Sequence, residues 1–151
     1  ASKANPGPAF FGVITRDHNG VVINCIYGPC GHCTAIEAEM TAFIIVVHTA
    51  KQKNWNEVWF ECDSTTIVQA VRFGIIHISW KLTTRWSDCL NKLATMNYII
   101  THTFREANTI VDALANKGVV QDACTHADAI PLDLLPILEN DNCKLPSFRL
   151  M

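Results

Sequence analysis

No stretch of the 151-residue chain comes near the roughly 20 consecutive apolar residues that a membrane span requires. Nor does a basic segment followed by an apolar one stand at its start, so the expected setting is intracellular, nucleus or cytoplasm, away from membranes. There is no excess of positive charge: 12 Lys and Arg stand against 14 Asp and Glu, for a formal net charge of −2. That excludes a polybasic protein that holds nucleic acid by overall charge and leaves only a local patch or bound cations for the purpose. Internal repeats and low-complexity tracts are absent too. With 49% hydrophobic and 17% charged residues, the chain is neither disordered nor fibrous and suffices for one domain with a sizeable core. A disulfide framework is not indicated. The seven cysteines are odd in number, and Cys25 and Cys62 sit in apolar, strand-like contexts where a thiol acts as a small hydrophobe, which fits a reducing compartment.

What is present is an alternation of strand and helix signals. Apolar runs at 10–15 and 21–27 flank Arg16-Asp17-His18-Asn19-Gly20, and an Asn-Gly between such runs signals a β-hairpin. Residues 28–33 read as a loop. Behind Thr34, a candidate cap, Ile36, Met40, Phe43, Ile44 and Val47 recur at helical spacing, and this helix should end near 52–54. Val58 and Phe60 share one face of a strand over 57–61, after which Asp63-Ser64-Thr65-Thr66 starts a helix over 65–73. A loop over 74–82 leads to a helix over about 83–95, marked by Trp86, Cys89, Leu90 and Leu93. Residues 98–104 read as a strand, and 109–117 as a helix with Val111, Leu114 and Ala115 inward and Gly118 past its end. Pro131, Pro136 and Pro146 surround the last apolar stretch, 132–138. The domain is therefore placed at 1–121, with 122–151 as a tail packing on it. Strand, strand, helix, strand, helix, helix, strand, helix predicts an α/β architecture, a mixed central sheet with an antiparallel hairpin and helices on both faces. Ligands gather at the carboxyl ends of strands in such sheets, where Asp63 stands.

Three carboxylates carry the chemistry. Glu39 lies in Ala38-Glu39-Met40-Thr41-Ala42, Asp63 follows Phe60-Glu61-Cys62, and Asp112 lies in Arg105-Glu106-Ala107-Asn108-Thr109-Ile110-Val111-Asp112-Ala113-Leu114-Ala115. Each stands among apolar residues where a surface acid is unexpected, and converging oxygen ligands suit Mg²⁺ or Mn²⁺. Cleavage of a phosphodiester by two cations roughly 3.5–4 Å apart needs such carboxylates to bridge and flank them. Each acid also has an ordinary reading. Glu39 could be solvated, with Glu37, about 200° around the helix, as its competitor for the inward position. Asp63 could cap the next helix, a task Ser64 could equally perform. Asp112 would lie in the first turn of a helix capped by Asn108, where the dipole favours a carboxylate in either role.

With Asn5-Pro6-Gly7-Pro8 ahead of them, these segments resemble the ribonuclease H superfamily, most closely the reverse-transcriptase-associated RNase H-like domains of plant retroelements. The resemblance covers nearly the whole chain. It implies endonucleolytic hydrolysis of the RNA strand of an RNA/DNA hybrid, leaving a 5′-phosphate and a 3′-hydroxyl, with Glu39, Asp63 and Asp112 holding two Mg²⁺ ions and Mn²⁺ as a substitute. His102, ten residues before Asp112, stands where cellular ribonucleases H carry a histidine that assists proton transfer or product release; a packed strand histidine is the alternative. Asn5 and Gly7 would read 2′-hydroxyls, the group that marks RNA. Ser64 would contact phosphate or backbone, and Trp80 and Lys81, with Arg85, would form a small groove for the DNA strand. In the other reading Trp80 and Trp86 cover the core. Two departures matter: Ala35 and Ile36 stand where many cellular enzymes have paired asparagines, and the family's first central strand ends in an Asp-Gly that would lie just ahead of Ala1. The chain is accordingly read as a fragment that lacks the first catalytic Asp, so that its activity as given depends on an Asp it does not contain, and an upstream reverse transcriptase or other domain is compatible with it. A catalytically degenerate domain that binds nucleic acid or protein is the alternative.

Cys30-Gly31-His32-Cys33 supports a different class of reading. Cys-x-x-Cys between a strand and a helix is the layout of a thiol-disulfide oxidoreductase, in which the helix dipole lowers a thiol pKa. Against it, the predicted helix begins only after both cysteines, and Pro29 rather than Trp precedes them.

Overall fold

The computed structural model describes residues 6–74, 77–103, 113, 125–127 and 148–150. Strands β1 (Gly7–Arg16) and β2 (Val22–Cys33) form the expected antiparallel hairpin. Asn19-Gly20 lies in its turn, but Asp17 organises it, since Asp17 Oδ1 accepts hydrogen bonds from the N–H groups of Asn19 (2.8 Å) and Val21 (2.9 Å). Gly20 takes the left-handed φ of 82° that this turn requires. β2 is longer than predicted. Residues 28–33, expected as a loop because of Gly28, Pro29 and Gly31, continue the strand, since pairing with β1 outweighs the breakers. The irregularity they impose is a single bulge: Phe10 pairs with Pro29 and Ala9 with Gly31, so Cys30 is the extra residue.

Helix α1 (Ala35–Gln52) begins at Thr34, as its sequence predicts, and ends at Lys53. A capping box closes its first turn, with Thr34 N–H donating to Glu37 Oε2 at 2.8 Å and Glu37 N–H donating to Thr34 Oγ1 at 3.3 Å. Strand β3 (Glu57–Cys62) leads through Ser64 into α2 (Thr65–Phe73), which stops at Gly74 in the left-handed conformation with φ 71°. Helix α3 (Thr83–Leu93) and strand β4 (Asn97–His102) follow, β4 running parallel to β3 in register from Glu57↔Asn97 to Cys62↔His102. The predicted helix over 109–117 lies outside the described residues except for Ala113, which is helical.

The tail does more than pack on the domain: its two described segments are strands of the sheet. β5 (Thr125–Ala127) extends β2 in antiparallel fashion, and β6 (Phe148–Leu150) lies between β1 and β3, giving the order β4-β3-β6-β1-β2-β5. The resemblance assigns that central place to a strand from upstream. Here the C-terminal strand takes it, parallel to β1 and antiparallel to β3, because backbone N–H and C=O groups at the middle of a sheet need partners. The pairing is short, reaching Thr15 and Arg16 on one side and Val58 and Trp59 on the other.

One core joins these elements. Phe11, Val13 and Ile26 of the hairpin meet Met40, Phe43 and Val47 of α1, with Phe60, Ile100, Ile67 and Trp86 closing around them. Phe43 is the hub, its ring 5.3 Å from that of Phe60 and 5.9 Å from that of Trp86. Each such pair contributes about 0.5–1.5 kcal/mol beyond the burial of its area. No described helix is long and apolar enough to cross a membrane.

Candidate active site at the carboxyl end of the sheet

β3 ends at Cys62, and the chain turns into α2 through Asp63 and Ser64. Ser64 Oγ accepts a hydrogen bond from Ile67 N–H at 3.4 Å, so the capping role weighed for Asp63 falls to its neighbour. Ser64 is buried in that position. On α1 the competition between two acids is also decided. Glu37 is committed to the capping box, and its pKa is lowered, first by the backbone hydrogen bond from Thr34 and next by Ser79. Glu39, two residues on, points elsewhere around the helix.

Cys62 feels the charge of both Asp63 and Glu39. Its thiol is pushed up to about 12, first by burial and then, against a hydrogen bond from the Ser64 backbone, by the negative charges of Asp63 and Glu39. Two carboxylates from different elements therefore bear on one thiol at the end of β3. His102 joins them at the same edge: it pairs with Cys62 across the parallel strands, and the next residue, Thr103, donates its N–H to Cys62 O at 2.9 Å. His102 is exposed. Gly7 opens β1 opposite Cys33. Asp112 and Asn5 lie outside the described residues.

The donor set fits a hard divalent cation, since both acids supply carboxylate oxygens from rigid elements. Among the described residues no group of three or more His, Cys, Asp or Glu is arranged to hold an ion. The described part of the site is a pair of carboxylates.

Beside this edge lies a cavity of about 380 Å³ whose lining includes Cys30, His32, Cys33, Glu37, Lys81 and Arg85. Lys81 and Arg85 are exposed, and Trp80, next to Lys81, is 83% exposed. Trp86 is the tryptophan that covers the core, at 2%. The two were paired in the core-covering reading, and the structure separates them. Sequence reasoning missed the role of Glu37, although Thr34-Ala35-Ile36-Glu37 has the capping-box spacing. It also missed that Lys81 and Arg85 share a cavity with the thiols.

The oxidoreductase reading is corrected. Cys30 and Cys33 belong to β2, ahead of the helix cap. Burial pushes the Cys30 thiol up to about 12, with Cys33 as the next cause, and burial raises Cys33 as well. Catalytic thiols of that class need the opposite shift.

A mixed sheet with these helices is an RNase H-like fold. Residues 1–118 match the family described as reverse transcriptase-like, and the chain belongs to that family within the ribonuclease H superfamily. It is 31% identical over 143 residues to an Arabidopsis thaliana protein named as a ribonuclease H protein, covering 93% of this chain but only 23% of that relative's length. Among solved structures it is similar to RNase H1 from the halophilic archaeon Halobacterium salinarum, with a TM-score of 0.71, 25% identity and coverage of 80% of this chain and 92% of that one. The N-terminal RNase H domain of rv2228c from Mycobacterium tuberculosis gives 0.69 at 22% identity, covering 80% and 88%. LC11-RNase H1, from compost and solved in complex with an RNA/DNA hybrid, gives 0.69 at 24%, covering 80% and 91%.

Proposed function

We propose that this domain hydrolyses the RNA strand of RNA/DNA hybrids endonucleolytically, with two Mg²⁺ ions. The observation that carries the reading is that the charges of Asp63, at the end of β3, and of Glu39, on α1, both act on the buried thiol of Cys62. The fold supports it, since LC11-RNase H1 holds an RNA/DNA hybrid on the same architecture.

The cations, when bound, activate a water and stabilise the departing oxygen. Glu39 and Asp63 would hold them from two elements and Asp112 from a third, with the Asp that the resemblance expects on the family's first strand as the further ligand. Ser64 fixes the start of α2 and thereby the place of Asp63. His102, exposed on the same edge, takes up or delivers a proton beside the scissile phosphate. Lys81 and Arg85 neutralise phosphates of the DNA strand while Trp80 stacks on its bases, so binding weakens as salt rises. Asn5 and Gly7 meet the 2′-hydroxyls that distinguish RNA.

A binding-only domain is the second reading, favoured by Trp80, whose exposure beside Lys81 and Arg85 serves nucleic acid without any cation. The deciding experiment is cleavage of a labelled RNA/DNA hybrid with Mg²⁺, comparing this chain with a form extended upstream. Products ending in 5′-phosphate and 3′-hydroxyl, lost in Asp112→Asn, establish the hydrolase. Folded proteins that bind the hybrid and cleave it in neither form establish the binding domain.

A further inference from the structure

In a regular strand, residues three apart point to opposite faces, so Cys30 and Cys33 of β2 should not meet. They do come together: Cys30 packs on the small cluster to which Cys33 belongs, and both residues line one cavity. The bulge is the cause. Because Cys30 is the extra residue between the Phe10↔Pro29 and Ala9↔Gly31 pairs, the alternation of faces is reset between the cysteines. Cys30 consequently packs both on the main core and on the small cluster of Ala9, Cys33 and Ala38. Gly31 makes the reset with a φ of 79°, and a side chain there would meet no atom within 4 Å, so backbone conformation alone favours glycine at this position. The remaining described cysteines, Cys25, Cys62 and Cys89, take no part in this arrangement.

We propose that Cys30 and Cys33 are a reversible dithiol-disulfide site, closed by a low-molecular-weight disulfide such as oxidised glutathione that enters through the cavity both thiols line. Cys33 attacks as its thiolate; burial and then Glu37 raise its pKa, with Lys81 acting the other way, so the exchange is slow at neutral pH and quickens as pH rises, unlike that of a catalytic thiol. The Cys33 thiolate displaces glutathione thiolate from the glutathione disulfide, forming a mixed disulfide. Cys30 then gives up its proton and attacks the Cys33 sulfur, expelling the second glutathione thiolate. Two protein thiols and one glutathione disulfide become one protein disulfide and two glutathiones. The sulfurs, packed in one cluster, close to a bond of about 2.05 Å. Closure ties off the last turn of β2 directly ahead of the α1 cap, beside Lys81 and Arg85. This site stands apart from the nuclease reading and requires no cleavage to be observed.

The test uses the full chain, equilibrated with reduced and oxidised glutathione at graded ratios, acid-quenched, denatured, alkylated with N-ethylmaleimide and mapped by fragment mass spectrometry. The expected result is a species that carries two fewer N-ethylmaleimide groups than the fully reduced chain, with Cys30 and Cys33 unalkylated and the other cysteines alkylated. In Cys30→Ser the attack should stop at a glutathione adduct on Cys33, which separates closure from general reactivity. Alkylation of both residues at every ratio, or a disulfide formed in preference between other cysteines, overturns the proposal. So does persistence of the mixed disulfide in the unaltered chain.

Discussion

Thr34 and Glu37 hold each other across the first turn of α1, the Thr34 N–H donating to Glu37 Oε2 at 2.8 Å and the Glu37 N–H donating to Thr34 Oγ1 at 3.3 Å. One of two neighbouring acids is thereby committed to structure, and the proposed cation-binding role falls to the other. Glu37→Ala should lower stability by about 1 kcal/mol, the usual worth of a cap, read as a shift of the urea midpoint with unchanged slope. Glu39→Gln should leave that midpoint within about 0.5 kcal/mol of the parent and remove Mg²⁺-dependent cleavage by the upstream-extended form. Full cleavage by Glu39→Gln would take Glu39 out of the site.

The same contact makes stability depend on acid. Glu37 has its pKa lowered by the Thr34 backbone, so its folded value lies below its unfolded one. A depressed carboxylate stabilises the fold above the unfolded value, about 4.3, and the gain is lost as pH falls through the folded value. Thermal midpoints at pH 7 and pH 3 should therefore differ less in Glu37→Gln than in the parent. An equal difference would mean that Glu37 carries none of the acid sensitivity.

Ser64 and Asp63 allow a similar separation at the end of β3. Ser64→Ala deletes the acceptor for Ile67 N–H and should cost about 0.5–2 kcal/mol, while Ser64→Asp, another good cap, should recover most of it. Asp63→Asn should keep the fold and lose metal-dependent cleavage. Circular dichroism melts alongside hybrid cleavage distinguish the two effects, and a melt unchanged in Ser64→Ala would refute the cap.

These local devices are also what the sequence made readable. α1 behind Thr34 and α2 over Thr65–Phe73 were predicted because caps and helical spacing act within a few residues. That Glu39 stands on a helix and Asp63 at the end of a strand was legible for the same reason. Residues 28–33 misled because Gly28, Pro29 and Gly31 are strand breakers in isolation, whereas the partner strand β1 absorbs them in one bulge. β6 was beyond local reasoning altogether. Three residues carry no periodicity, and their partners Thr15 and Val58 lie far back in the chain. The division between Trp80 and Trp86 was equally hidden, because composition gives both the same claim on the core.

That division yields the sharpest contrast between stability and binding. Trp86 is 2% exposed and packs on Phe43 at 5.9 Å, so Trp86→Ala should cost about 3–5 kcal/mol through lost burial and the cavity left behind. Trp80 is 83% exposed, so Trp80→Ala should leave the melting curve where it is. If Trp80 stacks on a base, the same substitution should weaken hybrid binding by about 1–3 kcal/mol per stacked base, a roughly 5- to 150-fold rise in Kd. Lys81→Ala should instead reduce the slope of log Kd against log salt by about one phosphate contact. Fluorescence anisotropy of a labelled hybrid at several salt concentrations reads both effects. Equal affinities for Trp80→Ala and the parent would move the DNA-strand contact away from this face of the domain.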